Sequence, residues 1–232
     1  PAASLAAAGR IYFCGSAHMN MHIETLVVSE YQENTYLVWN GDTMRGAVVD
    51  PGAEAPRILA RIERLGITPE AILLTHGHAD HIGAVGELSE RLRLPVYIGR
   101  GEEALLADPL QNLSAFFGPG ITAPPPDHLL DDGATIDVAG FTFAVSATPG
   151  HSPASICYRC GSVVFSGDVI FLDSIGRSDF PHSDHATLMR SISEKILTLP
   201  DDTLLYPGHG PVTTVKRERA HNPFLIDLRP AQ

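Results

Sequence analysis

The chain has little cysteine, no apolar run fit for a membrane and a shortage of positive charge. Its three cysteines, Cys14, Cys157 and Cys160, are too few and too unevenly spaced for a disulfide framework. No stretch approaches the roughly 20 consecutive apolar residues of a spanning helix, so a membrane location is not expected. Lys and Arg number 16 against 27 Asp and Glu, a net charge of -11. A nonspecific binder of phosphate backbones needs the opposite balance, so nucleic acid is not an expected partner. What remains is ordinary: 232 residues, 44% apolar and 19% charged, enough for one soluble domain with a large core.

Cys157 and Cys160 form a C-x-x-C, which invites a zinc or redox reading. The surrounding run 154–158 reads as a strand turning at Cys160-Gly161, and positions i and i+3 of a strand face opposite ways. One core cysteine and one turn cysteine is the expected outcome. At the other end, Tyr12-Phe13-Cys14-Gly15-Ser16-Ala17-His18-Met19 resembles the scar of a protease-cleavable tag, with cysteine where such a site carries glutamine. It lacks the basic and apolar regions of a signal peptide. Residues 1–18 are therefore set aside as a tag remnant, with Cys14 and His18 excluded from the chemistry, and a single domain is expected over 19–232.

Hydrophobic patterning alternates between the two periods. Residues 23–29, 35–39 and 47–49 read as strands, and 56–65 as a helix stopped by Gly66. A strand at 71–74, a helix at 85–92 and a strand at 95–98 follow. Residues 101–126, with Phe116-Phe117-Gly118-Pro119-Gly120 and three successive prolines, have the composition of either an irregular flap beside a cleft or a passive connector. The second half repeats the theme, with strands at 135–138, 141–146, 155–158, 163–165 and 203–206 and helices at 187–199 and 215–220. Two strand-rich halves with helices imply two packed sheets covered on the outside.

The chemistry is concentrated in Thr75-His76-Gly77-His78-Ala79-Asp80-His81-Ile82-Gly83. Imidazole nitrogens and a carboxylate are a ligand set for zinc or another first-row metal. The glycine between the first two histidines is expected to let the backbone fold tightly enough for both rings to reach one ion. Three further turns each present one such side chain after a strand: Pro149-Gly150-His151, Gly167-Asp168 and Pro207-Gly208-His209-Gly210.

The H-x-H-x-D-H pattern and the three later turns, in this order, resemble the metallo-β-lactamase-fold hydrolases. Asn34-Thr35-Tyr36-Leu37-Val38 and Val48-Val49-Asp50-Pro51-Gly52 resemble the first hairpin of that superfamily. The resemblance implies an α+β fold, a four-layer αββα sandwich with metals at one edge. It makes His76, His78 and His151 ligands of a first metal, Asp80, His81 and His209 ligands of a second, and Asp168 the bridge; Asp50 orders the loop beneath. The implied cofactors are two divalent ions, zinc first, with iron or manganese also compatible. A shared water of lowered pKa would be the nucleophile, oriented by Asp80 as the catalytic carboxylate.

The segments 175–180 and 218–224 resemble glyoxalase II-like hydrolases of the short bacterial type, and also the mononuclear-iron persulfide dioxygenases. The turn at His209 favours the hydrolases. Asp168 argues against the β-lactamases proper, and His78 against the flavodiiron branch. The implied activity is hydrolysis of an S-lactoylglutathione-type thioester, a small-molecule substrate, in the cytoplasm. The dioxygenase and a non-catalytic metal-binding module are the alternatives. Arg177 is expected either to bind a substrate carboxylate or to pair internally with Asp179. The chain departs from full-length glyoxalase II in lacking its C-terminal helical domain, which leaves glutathione recognition open. His22, His128, His182, His185 and His221 fall outside the motifs and are expected on the surface or in structural roles.

Overall fold

The computed structural model describes residues 10–14 and 19–228. Seven strands make the first sheet in sequence order: β1 (Arg10–Cys14), β2 (Met19–Val28), β3 (Glu33–Asn40), β4 (Arg45–Val49), β5 (Thr68–Leu73), β6 (Val96–Gly99) and β7 (His128–Leu130). β1 pairs antiparallel with the start of β2, so part of the segment set aside from the sequence lies on the sheet edge; the rest, 1–9 and 15–18, falls outside the described residues. The second sheet holds β8 (Thr135–Val138), β9 (Phe141–Ala147), β10 (Ile156–Cys160), β11 (Val163–Gly167), β14 (Leu204–Pro207) and β15 (Thr213–Thr214). A two-strand ribbon, β12 (Ile170–Phe171) and β13 (Ser174–Ile175), lies beside it.

The sandwich follows from period-two alternation. Along β3, Tyr36 and Val38 face the second sheet and meet Phe143, Tyr158 and Phe165 in the inter-sheet core. Leu37 and Trp39, one residue on, face the other way, onto Ile58 and Ile62 of α1 (Ala55–Leu65). The short α2 (Ala79–Ile82) and then α3 (Val85–Leu92) extend that outer layer through Ile82, Val85 and Leu88. After α4 (Glu103–Ala107), the second sheet is covered by α5 (His185–Ser191) and α6 (Val215–His221), through Leu188, Ile192, Ile196 and Val215. Helices thus lie outside both sheets, and this is the αββα sandwich. Among the described residues, no helix is long and apolar enough to cross a membrane.

Two local expectations need correction. Cys160 is not in a turn: it ends β10, 1% exposed, and belongs to the inter-sheet core, while Cys157 faces the outer helices. The opposite facing of the two side chains is as the strand geometry requires. The helix expected over 187–199 starts at His185, capped by Asp184 accepting from the Thr187 N–H at 2.7 Å. It widens to a π-helical turn over Ile192–Ile196, where the Leu197 N–H reaches the Ile192 carbonyl at 2.9 Å.

Candidate metal centre

β11 and β14 run parallel in one sheet, β5 runs parallel to β4 and β6 in the other, and the loops that follow these strands and β9 meet in one cluster. β5 and β11 end immediately before the metal loop and Asp168, and β14 ends before His209, with β9 ending just before the His151 turn. β3 holds the last turn in place: Tyr36 Oη donates to the Pro207 carbonyl at 2.6 Å, and Asn34 Nδ2 donates to Pro207 and Gly210 carbonyls at 3.0 and 2.8 Å. That is the physical content of the Asn34-Thr35-Tyr36 motif.

All seven residues singled out in the four motifs converge. His78 Nδ1 lies 2.9 Å from His151 Nε2, and both belong with His76 to one group of possible ligand atoms. His209 Nε2 lies 3.2 Å from Asp80 Oδ2, and these two form a second group with His81. Asp168 stands between them: Oδ1 is 3.4 Å from His81 Nε2, and Oδ2 is 3.5 Å from both His151 Nε2 and His209 Nε2.

Hydrogen bonds on the outer side of the rings decide what faces inward. Thr75 Oγ1 donates to Asp50 Oδ2 at 2.6 Å and so accepts from His76 Nδ1–H at 3.1 Å. His151 Nδ1–H donates to the Arg177 carbonyl at 2.8 Å, and His209 Nδ1–H to the Tyr31 carbonyl at 3.1 Å. In each ring the proton is held at Nδ1 and the Nε2 lone pair points into the cluster. His81 Nδ1 likewise faces Asp50 Oδ2 at 3.1 Å. Asp50 therefore sits on the outer side of the cluster, between Thr75 and His81.

Converging lone pairs without protons are unfavourable, and here they are also buried. His76 Nε2, His81 Nε2 and Asp168 Oδ1 have no hydrogen-bond partner. Each such atom costs about 1–3 kcal/mol unless something satisfies it. Burial pushes the His78 imidazole down to about 3 and the His76 imidazole well below its ordinary range, with neighbouring histidines adding to both. Neutral rings that cannot take protons suit a cation bound through nitrogen. Burial opposes charge on Asp168, yet His81, His209 and His151 hold its carboxyl well below the usual range. The donor set fits divalent cations.

The centre opens on one side only. His76 and His81 are fully buried, while the Asp80 and His209 side chains keep 22% and 26% of their surface, facing a cavity of about 520 Å³. Its walls beyond the ligands are mostly apolar, with Tyr31, Leu113, Phe117, Ile121, Phe171 and Phe180 among them. The Phe180 ring packs edge-on to His78 and His151, and Phe171 edge-on to His209. The flap expected from composition supplies Leu113 to Ile121. Buried Asn112 anchors it by donating to the Leu105 and Ile121 carbonyls, and the Asn112 carbonyl accepts the Ala79 N–H at 3.1 Å.

Other residues stand differently from their sequence description. Gly77 is required by space rather than by backbone freedom: a Cβ there would lie 2.6 Å from Leu105 Cβ of α4. The Arg177 side chain, 64% exposed at the cavity rim, is held in a two-point pair with Asp179 at 2.9 Å and lies over the Phe180 ring at 4.1 Å. His128, His182, His185 and His221 are exposed and His22 stacks on Trp39, none in the cluster. Two buried carboxylates, Glu33 and Glu102, went unremarked in the sequence. Glu33 accepts from Thr35 Oγ1 at 3.0 Å and lies 3.9 Å from His81 Nδ1. The only available signal for it was its place next to the Asn34-Thr35-Tyr36 motif.

Residues 28–209 match the family model of the Metallo-beta-lactamase superfamily. The chain belongs to the metallo-β-lactamase superfamily. By sequence it is similar to "Probable metallo-hydrolase YqgX" of Bacillus subtilis (strain 168), 43% identical over 201 residues, 85% of this chain and 94% of that protein. It is 39% identical over 209 residues to "Hydroxyacylglutathione hydrolase GloC" of Haemophilus influenzae, covering 88% of this chain and 98% of that one. Among solved metallo-β-lactamase-superfamily structures, BLEG-1 B3 metallo-beta-lactamase superposes with a TM-score of 0.85 at 43% identity, over 88% of this chain and 99% of that one. TTHA1623 in a di-iron-bound form gives 0.78 at 39% identity, covering 87% and 100%. ETHE1 from Myxococcus xanthus gives 0.71 at 32% identity, covering 87% and 83%. One of these similar structures is thus called a B3 metallo-beta-lactamase, a branch that Asp168 was expected to argue against. The chain is a metallo-hydrolase of this superfamily.

Proposed function

We propose that the protein is a two-metal thioester hydrolase acting on S-lactoylglutathione-type substrates. The observation that carries this reading is the pair of ligand groups, His76/His78/His151 and Asp80/His81/His209, sharing Asp168 and opening on one cavity. The likeness to a hydroxyacylglutathione hydrolase supports the substrate class, and the likeness to a di-iron structure supports two ions. Zinc is the ion proposed, since imidazole and carboxylate suit it; iron and manganese accept the same set.

Two bound divalent cations supply a Lewis acid for the carbonyl oxygen and an acidified water as nucleophile. The chain's residues do the rest. His76, His151 and His209 offer nitrogens already oriented by their outer hydrogen bonds, and His78 and His81 complete the two groups. Asp80, partly exposed to the cavity, would accept a hydrogen bond from the nucleophile through a carboxylate oxygen and so orient it toward the open side. Phe171 and Phe180 flank the ligands and exclude bulk water. The leaving thiol of a thioester has a pKa of about 8.5, so no strong general acid is required. Arg177 is proposed to bind a substrate carboxylate by exchanging it for Asp179, an exchange made easy by the small worth of an exposed ion pair.

Zinc-loaded protein is expected to release thiol from S-lactoylglutathione, and EDTA to stop the release. Protein carrying two ions that releases no thiol would retire glutathione thioesters as substrates. Because the lone pairs that converge here are unsatisfied without cations, EDTA is also expected to lower the thermal midpoint. Binding at about 100 times the dissociation constant contributes about 2.7 kcal/mol, or roughly 5–10 °C for a chain of this size. An unchanged melting curve would show that no tightly bound ion occupies the centre.

The likeness to ETHE1 favours one second reading, a mononuclear iron persulfide dioxygenase. Oxygen uptake with glutathione persulfide by protein holding one iron per chain would support it over the hydrolase.

A further inference from the structure

Glu102 is a fully buried carboxylate that no ligand motif contains. It precedes α4, and its own N–H donates to the Gly99 carbonyl at the end of β6 at 3.1 Å. Its Oε2 accepts the Gly77 N–H at 2.9 Å. Its Oε1 accepts Ser152 Oγ–H at 2.8 Å and the Ala154 N–H at 2.6 Å. Gly77 is the residue between His76 and His78, and Ser152 follows His151. One carboxylate thus binds two loops, one from each sheet, beside all three members of the first ligand group.

Packing alone does not call for a carboxylate here. Among the described residues no cation pairs with Glu102, and burial pushes its pKa up. A buried carboxylate without a counter-ion is expensive unless hydrogen bonds satisfy it. Three donors converge on two oxygens, and only a group that is all acceptor meets them; the amide of glutamine would turn an N–H against a donor. The neighbouring Glu103, by contrast, is exposed. Close approach of the loops leaves no slack: a Cβ on Gly77 would meet Leu105, and one on Gly99 would lie 2.3 Å from the Ala154 carbonyl oxygen.

We propose that Glu102 is a positioning residue that sets the His76–His78 loop against His151, and thereby builds the first metal site from two separate sheets. The proposal rests on reading His76, His78 and His151 as metal ligands. Outer contacts of this kind typically change metal affinity by about 10–100-fold.

The test is titration of metal-free protein with cobalt(II), read by native mass spectrometry and by the visible spectrum. Wild type is expected to bind two ions. Glu102→Gln is expected to weaken one of them by about tenfold or more and alter its spectrum, leaving the other near its wild-type affinity. Ser152→Ala, which removes one donor of three, is expected to move the same ion in the same direction by less, and keeps the question open to test if Glu102→Gln folds poorly. Asn40→Ala is the control for general loss of stability. It deletes a buried acceptor for the Asp42 and Thr43 N–H groups, at the far end of β3 from the site. Two ions bound by Glu102→Gln with wild-type affinity and spectrum would overturn the proposal. So would a matching loss of the same ion in Asn40→Ala. Wild type that binds no cobalt would overturn the metal-site reading itself, and the proposal with it.

Discussion

Asp168→Asn is expected to reduce thioester hydrolysis by more than about a hundredfold and to lower occupancy from two ions toward one. Asp168 lies within 3.5 Å of candidate ligand nitrogens from both groups, with Oδ1 facing His81 and Oδ2 facing His151 and His209. Asparagine keeps the shape and removes the charge that two cations would share. Its amide nitrogen, in place of Oδ2, can give His151 Nε2 or His209 Nε2 an N–H donor, so the folded sandwich should persist while the centre fails. Mutating an outer contact typically costs 10–100-fold, and loss of a shared ligand should exceed about that. Metal content by elemental analysis and steady-state kinetics on the same preparation check it together. Near-normal turnover with two ions bound would remove Asp168 from the bridging role.

Gly208→Ala should have an effect of similar size without altering any ligand. A Cβ at 208 would fall 2.1 Å from Asp168 Oδ1 and 2.6 Å from His81 Cε1. Gly208 cannot step back, because its N–H donates to the Gly167 carbonyl at 2.9 Å and its carbonyl accepts the Asn34 N–H at 2.7 Å. The added methyl must push Asp168 and His81 out of line, and an error of about 1 Å at a reacting centre can cost about a hundredfold. The expected result is a folded protein that binds its second ion poorly and hydrolyses thioesters at least about a hundredfold more slowly. Wild-type kinetics in Gly208→Ala would mean that the turn at 207–210 relaxes more easily than its hydrogen bonds indicate.

The candidate ligand residues were legible because they sit in glycine-bearing turns just after apolar runs, with Asp80 and His81 on the short α2 that follows the first turn. A strand end plus a small-residue turn presents one side chain with little cover, and the order of the four turns carried the family resemblance. The sandwich was legible for a similar reason, since alternation along residues such as Tyr36, Leu37, Val38 and Trp39 assigns two faces to one strand. Glu33 and Glu102 were not legible. Glu102 and Glu103 are chemically identical neighbours, and only the approach of the His151 loop from the other sheet buries the first and leaves the second exposed. Long-range convergence of that kind leaves no local periodicity. Gly77 was noticed for the wrong reason, because the need for space beside Leu105 is set by α4, which comes 26 residues later in the chain at Glu103. Arg177 stays divided between its pair with Asp179 and a substrate, and its backbone carbonyl, which fixes His151, could not be foreseen from side-chain identity.

The apolar cavity adds a constraint that composition did not suggest. Tyr31 and Phe117 approach edge-on at 6.3 Å between centroids, one from the β2–β3 turn and one from the flap, and both are substantially exposed. They line the same cavity as Asp80 and His209, and under the proposed function they would flank the substrate's way in. A bound acyl group would cover them, which is how an exposed aromatic pair beside a metal centre gains a use.

The most direct test of the account is anomalous scattering from crystals of the zinc-loaded protein, recorded at the zinc edge. Two peaks are predicted, one among His76, His78 and His151 and the other among Asp80, His81 and His209, with Asp168 reaching both. A single peak, or peaks that leave either histidine group unoccupied at full zinc loading, would contradict the two-metal centre.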